Sequence, residues 1–235
     1  MLLNHWNKVQ LIGVIAAARG LTRYLEITTT TTGGTYDQAV VLDFRPCMRL
    51  VYRAAVHPLR DGLPIDFTSD DDDTAEPIAK IRSSNLVFDM IFLDAHHTYE
   101  CAIRDPHDAY SLLAPGGAIL VHDCNPPDQE IASPVHQDGA WCGVTYKSFI
   151  DFTLGNPSFD SFTIDADYGC GVILKPRSPL DVVRNQLRAF RQRGLKERWS
   201  EAAKDFDTAY KMFDSHRQDL LRLGGFGLLK YKLSR

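Results

Sequence analysis

Residues 88–127 read FDMIFLDAHHTYECAIRDPHDAYSLLAPGGAILVHDCNPP. Val87 to Asp94 is a nearly continuous apolar run ending in a carboxylate, the pattern of a strand covered on both faces. His96, His97 and Glu100 open the segment that follows, and Tyr99 to Leu113 has helical spacing with Ile103, Ala109 and Leu112 as inward positions. A Pro115-Gly116-Gly117 turn leads to a second apolar strand, Ala118 to Val121, which runs into His122-Asp123. Two neighbouring strands of one sheet would deliver carboxylates and imidazoles to the same edge. In open α/β sheets the carboxyl edge is where ligands bind.

Upstream, Asn4 to about Ala18 reads as an amphipathic helix closed by Gly20. Its core, Leu11 to Ala17, has the composition of a signal-peptide segment, but Leu11, Val14 and Ile15 also share one helix face, and a cover helix is the expectation. Arg23 to Ile27 reads as the first strand, followed by a Thr28–Gly34 loop (TTTTTGG) and a short helix over Tyr36 to Val41. Arg49 to Ala54 and Ile65 to Thr68 are short strands. Ser69 is an N-cap candidate for a helix over Asp71 to Arg82, with acidic residues in its first turn. Downstream, Ser133 to Gly143 is a loop and Val144 to about Leu154 a helix with Val144, Phe149 and Phe152 for packing. Phe159 to Asp165 and Cys170 to Lys175 form a hairpin around Ala166-Asp167-Tyr168-Gly169. Beyond Pro179 two helices are expected, one with Val183, Leu187 and Phe190 on a face, the other with Phe206, Tyr210 and Phe213; Gly224 to Gly227 ends them. Alternating strands and helices predict a doubly wound, Rossmann-like seven-stranded, mostly parallel sheet with a terminal antiparallel hairpin. Residues 1–177 would hold that sheet and the N-terminal helix, and 178–235 a helical extension.

The chain has 235 residues, 44% hydrophobic and 24% charged, enough for a sizeable core. Its five cysteines (Cys47, Cys101, Cys124, Cys142, Cys170) show neither CxxC pairing nor zinc-finger spacing, which points to reduced thiols in a cytoplasmic protein. The net charge of −4 hides an asymmetry: residues 178–235 carry 13 Lys and Arg against 7 acidic residues, and the remainder 13 basic against 23 acidic. An acidic core is a poor nucleic-acid cleft. No apolar run approaches the roughly 20 residues that span a bilayer. The basic tail is left to cover the sheet, pair two copies into a homodimer, or form a lid.

Several short motifs resemble those of class I S-adenosylmethionine-dependent methyltransferases. They are Tyr24-Leu25-Glu26-Ile27, Asp94-Ala95-His96-His97-Thr98-Tyr99-Glu100, Pro115-Gly116-Gly117, His122-Asp123 and Asp167-Tyr168-Gly169, spread over Arg23 to Lys175. The resemblance implies S-adenosyl-L-methionine as cofactor. Its methionine and ribose parts would lie over Glu26 and the Thr28–Gly34 loop (Thr28, Thr32, Gly33, Gly34), Ser69 and Asp70 near the adenine, and Asp94 beside the sulfonium. Two departures stand out. Thr28 replaces the usual first glycine, and the second strand ends in Tyr52 and Arg53 where an acidic residue is usual.

Asp94, His97 and Asp123 also form a candidate ligand set for a divalent cation, which the resemblance supports through relatives that hold one at these strand ends. Oxygen ligands suit Mg²⁺, and the imidazole admits a transition metal. Without a cation, His97 or His122 is the candidate general base, and His122 otherwise orients Asp123. The expected activity is methyl transfer to an oxygen, with nitrogen as the alternative, of a small-molecule acceptor such as a sugar or natural-product hydroxyl. Two other classes fit the same residues: a binding protein whose Thr-rich loop no longer holds the cofactor, and a metal-dependent hydrolase or oxygenase built on the His/Asp cluster.

Overall fold

The computed structural model describes residues 6–29, 35–54, 65–94 and 96–234. Helix α1 (Lys8–Arg19) starts where Asn7 and Gln10 form a reciprocal capping box and ends at Gly20, whose φ of 67° is the left-handed C-cap conformation glycine adopts freely. Next come β1 (Tyr24–Thr28), α2 (Thr35–Val40), β2 (Cys47–Val51), β3 (Phe67–Thr68), α3 (Ala75–Ser83), β4 (Phe88–Asp94), α4 (Tyr99–Leu112), β5 (Leu113–Val121) and α5 (Thr145–Gly155). The C-terminal part holds β6 (Asp160–Ile164), β7 (Cys170–Leu174), α6 (Pro179–Arg191), α7 (Arg193–Ala202), α8 (Phe206–Leu220), β8 (Leu223–Gly224) and α9 (Phe226–Leu233).

The strands form one sheet in the order β3-β2-β1-β4-β5-β7-β6-β8. Strands β1 to β5 are mutually parallel, and β7 is antiparallel to both β5 and β6. This is the Rossmann-like arrangement expected, hairpin included. Period-2 alternation sends Leu25, Ile27, Ile91, Leu93, Ile119 and Val121 into one core, against α3, α4, α5, α7 and α8. The intervening Tyr24, Met90, Phe92, Ala118 and Leu120 enter a second core under α1, α2 and α9. Burial of Phe149, Phe152 and Phe213 in the first core contributes about 1.5–3 kcal/mol each.

Several boundaries differ from the sequence reading. Among the described residues the sheet has eight strands, not seven: Leu223–Gly224 pairs with the outer strand β6. Two residues carry no alternation, so only the tertiary partner defines this strand. Four helices, not two, follow Pro179, and the glycine stretch that should end them instead supplies β8 and then Gly225, the N-cap of α9. Helix α3 begins at Ala75 instead of Asp71. The carboxylates of Asp71 and Asp73 accept the backbone N–H groups of Asp73 and Ala75, and these consecutive turns displace the first helical turn. The second strand starts at Cys47 rather than Arg49 and ends at Val51. The face of Val183, Leu187 and Phe190 exists but is left 49%, 60% and 73% exposed.

Residues 178–234 nonetheless reach into the sheet. Trp199 of α7 is buried in the first core and donates to Asp151 of α5 at 2.7 Å; the second oxygen of Asp151 accepts from Tyr99 of α4 at 2.9 Å. Among the described residues no helix is long and apolar enough to cross a membrane.

Candidate active site

Strands β1, β4 and β5 end side by side. Thr28 pairs in register with Asp94, and its hydroxyl donates to the Asp94 carbonyl at 3.0 Å. The residues that directly follow β5 are His122 and Asp123. Asp123 has φ of 61°, a left-handed conformation that Asp tolerates better than most residues, and the bend turns its carboxylate back toward β4. The sequence-derived set Asp94, His97, His122 and Asp123 is therefore brought together.

The distances define a compact charged cluster. His97 Nε2 lies 3.3 Å from Asp123 and 3.7 Å from Asp94. His122 Nδ1 lies 3.2 Å from Asp123 and 3.3 Å from Asp94, and its Nε2 lies 3.4 Å from Asp167. Both His122 nitrogens are buried without well-formed hydrogen bonds, so their attraction to three carboxylates is one of charge. Burial opposes that charge, but Asp94, Asp123 and Asp167 outweigh it and hold His122 well above the ordinary imidazole range. For His97, burial again opposes the charge, and Asp94 and Asp123 raise it. Asp94 is held well below the usual carboxylate range: burial works against ionisation, and His122, His97 and Lys8 overcome it.

His97 has its tautomer set from behind. The Trp141 carbonyl accepts from Nδ1 at 2.7 Å, so Nε2 is the nitrogen that faces Asp94 and Asp123, donating to them when the ring is charged and offering a lone pair when it is neutral. Gly143 makes this approach feasible: with φ of 55°, it packs so close to His97 that a Cβ there would collide with the His97 carbonyl, and Val144 N–H donates to that carbonyl at 3.0 Å. One ligand atom from each of Asp94, His97 and Asp123 can be chosen so that all lie within 4.8 Å of one another, a spacing compatible with a cation between them. Imidazole Nε2 plus two carboxylates is a donor set for a borderline divalent metal or Mg²⁺.

Two charged residues of the cluster were not read from the sequence. Lys8, at the first turn of α1, places Nζ 2.8 Å from Asp94. Asp167, in the β6–β7 turn, accepts from Lys8 N–H at 3.0 Å as well as facing His122. The His122 contact and burial pull in opposite directions on Asp167, and its carboxyl ends below the usual range. The turn holds Asp167, Tyr168 and Gly169 all at positive φ, and a Cβ on Gly169 would collide with the Asn125 backbone. Cys124 and Asn125 N–H groups donate to the Gly169 and Tyr168 carbonyls at 2.9 and 2.7 Å, which locks the turn onto the end of β5. The Asp-Tyr-Gly motif was visible in the sequence; its carboxylate role was not.

The remaining predicted residues are spread along the same edge. Glu26 is on β1, two residues before Thr28, 2% exposed and accepting from Tyr24 hydroxyl at 2.9 Å. Burial pushes its carboxyl up to about 8, against the Tyr24 hydrogen bond, with Asp94 adding to the rise. Ser69 and Asp70 follow β3, three strands from β4 and so about 14 Å along the edge at usual strand spacing. Ser69 Oγ donates to Asp71 at 3.1 Å, and among the described residues no hydrogen bond or ion pair joins Ser69 or Asp70 to the Asp94 cluster. Thr32, Gly33 and Gly34 lie outside the described residues. Tyr52, at the position where an acidic residue was expected, is buried; its hydroxyl donates to Asp105 at 3.0 Å and accepts from His96 N–H at 2.7 Å, tying β2 to the β4–α4 connection.

Residues 19–124, which include β1 to β5 and both clustered strand ends, match the family model described as a methyltransferase domain. No curated protein matches the sequence. Among solved structures, the O-methyltransferase TomG from Streptomyces achromogenes, involved in tomaymycin synthesis and solved with SAM, is 18% identical, with a TM-score of 0.50 over 72% of this chain and 79% of its own. An O-methyltransferase from Bacillus cereus in complex with SAH is 14% identical (TM-score 0.47, covering 74% and 84%). The MycE methyltransferase of mycinamycin biosynthesis, in complex with Mg, SAH and mycinamycin VI, is 14% identical (TM-score 0.46, covering 76% and 52%). Residues 19–124 are thus similar to a methyltransferase domain, and the sheet they help to build has the Rossmann-like strand order of that fold.

Proposed function

We propose that the chain transfers a methyl group from S-adenosyl-L-methionine to a hydroxyl oxygen of a small molecule, at the carboxyl edge of β1, β4 and β5. The observation that carries this reading is the convergence of Asp94, His97 and Asp123 next to the Thr28 strand tip, within a methyltransferase-type sheet. When bound, the cofactor supplies a methyl on a cationic sulfonium, to which the acidic strand tips are electrostatically suited. Glu26 would then accept from the ribose hydroxyls, and the Thr28–Gly34 loop and Ser69-Asp70 would serve the methionine and adenine ends. The neighbouring rings of Trp141, His96 and His136, with centroids 5.6 and 4.9 Å from Trp141, suit an acceptor with an apolar face, such as a sugar or natural-product hydroxyl.

In this reading Asp94, His97 and Asp123 hold a divalent cation, which when bound lowers the pKa of the acceptor hydroxyl. His122, enclosed by carboxylates, orients Asp94 and Asp123. Lys8 favours a second, cation-free form: its ammonium already occupies one Asp94 oxygen, and His97 Nε2 then takes the acceptor proton as the O–CH₃ bond forms and the S–CH₃ bond breaks. Calorimetry with S-adenosylhomocysteine, with and without Mg²⁺ or Mn²⁺, tests both. Saturable binding is expected. Binding or turnover abolished by EDTA and restored by the cation selects the first form, and indifference to EDTA selects the second. No heat at high ligand concentration would defeat the methyltransferase function.

A further inference from the structure

A separate charged cavity of about 380 Å³ lies at the opposite edge of the sheet, beside the end of α1, the end of β7 and the start of α6. Helix α1 has 12 residues, so this cavity is about 17 Å from the Lys8 end. Its lining includes Arg19, Lys175, Arg177, Arg184, Arg188 and Lys232, against two carboxylates, Asp160 and Asp181.

Both carboxylates are already committed. Asp160 receives Arg188, Arg222 and Lys232, each at 2.9 Å. Asp181 caps α6 by accepting from the Ser178 N–H, the Ser178 hydroxyl and the Arg177 N–H, and leaves Arg184 at 3.9 Å. Arg19 and Lys175 are held by neutral carbonyls, those of Gly116 (2.8 and 3.2 Å) and Leu113 (2.6 Å). The Arg177 guanidinium has no ion-pair partner among the described residues. The positive charge is therefore in excess. Burial and the charge of Arg177 push the Arg19 guanidinium down to about 10, and burial together with Arg222 lowers Lys232.

We infer that this cavity is a binding site for a multiply charged phosphate group, with Arg177, Arg184 and Arg19 as its principal ligands. Guanidinium forks match tetrahedral oxyanions bidentately, which a single carboxylate would use less fully. The volume is that of a small-ligand site. The phosphate belongs either to a free metabolite or to a lipid headgroup, since the exposed apolar face of α6 (Leu187, Phe190) adjoins Arg184 and Arg188.

The test is thermal unfolding and calorimetry of the full chain with inorganic pyrophosphate, at ionic strength matched with chloride. At a hundredfold excess over Kd, a rise in Tm of roughly 5 °C or more is expected. The double variant Arg177→Ala/Arg184→Ala should lose the response while keeping its unliganded Tm, and Arg177→Lys should retain part of it. Flotation with vesicles of phosphatidylglycerol or of phosphatidylcholine separates the two sources: binding to the former, without a pyrophosphate response, assigns the phosphate to a headgroup. Absence of response to pyrophosphate and to phosphatidylglycerol, an equal response to chloride, or a full response in the double variant would each overturn the proposal.

Discussion

The two edges of the sheet balance their buried charges differently, and helix α1 spans them. At the carboxyl edge Lys8 meets Asp94, Asp123 and Asp167, with His97 and His122 between the carboxylates. At the other edge Arg19 joins a group of cations gathered around Asp160. The local logic is nevertheless shared: a buried charge is kept ionised by neighbours of the opposite sign. The difference lies in what each edge would accept. At the carboxyl edge Lys8, His97 and His122 nearly balance Asp94, Asp123 and Asp167, so a sulfonium or a metal ion would take the place of one of these cations; the basic edge is short of negative charge and suits an oxyanion.

The largest effect should come from Asp94→Asn. It leaves Lys8 and His122 facing a neutral amide in a buried cluster, a break that costs about 3–5 kcal/mol where a buried ion pair loses one partner. Turnover, compared at equal folded fraction by circular dichroism, should fall by about 10²–10⁴-fold. Near-wild-type turnover would separate the acidic edge from the chemistry.

At the basic edge, Asp160→Asn should cost about 2–3 kcal/mol at pH 7, because Arg188, Arg222 and Lys232 lose their common carboxylate. Burial opposes the Asp160 charge, but the three cations hold its carboxyl below the usual range. A depressed carboxyl contributes stability that is present above its unfolded pKa near 3.9 and lost as pH falls through the lower folded value. The variant should accordingly show a flatter acid limb in urea titrations from pH 6 to 2. Parallel acid limbs would show that Asp160 is not ionised in this way.

Glu26→Gln should act in the opposite direction. Glu26 loses its proton near 4.3 when unfolded and near 8 when folded, so it withdraws stability as pH rises between those values. The unliganded variant should match the wild type at pH 4 and exceed it by on the order of 4–5 kcal/mol at pH 8, as read by chemical denaturation, while binding the cofactor more weakly. The smallest effect is expected at Leu187→Ser on the exposed face of α6, within about 0.5 kcal/mol. A larger loss would mean that this face is covered in solution.

The sheet interior was legible because Phe88–Leu93 and Ala118–Val121 are nearly continuous apolar runs, whereas Pro115-Gly116-Gly117, read as a turn, lies inside β5 where its register against β4 shifts. Once β4 and β5 are recognised as neighbours, Asp94 and Asp123 must share an edge. Lys8 and Asp167 were not legible as partners because 86 residues separate Lys8 from Asp94, and 159 separate it from Asp167; no local pattern encodes either pairing. The acidic run after β3 misled for a local reason: Asp71 and Asp73 spend their carboxylates on turn N–H groups rather than on a helix start. Strand β8 was hidden because it is defined only by the edge it covers. The apolar stripe of α6 was correctly seen as a face, but periodicity does not say whether a face has a partner.

The central claim is that cofactor and acidic strand tips share one pocket. Isothermal titration of the purified chain with S-adenosylhomocysteine, repeated on Glu26→Gln and Asp94→Asn, tests it most directly. The account predicts one saturable site in the wild type, with affinity reduced at least about tenfold in each variant at pH 9, where Glu26 as well as Asp94 is ionised, the loss of one charge-assisted hydrogen bond. Absence of binding, or affinity unchanged in both variants, would contradict it.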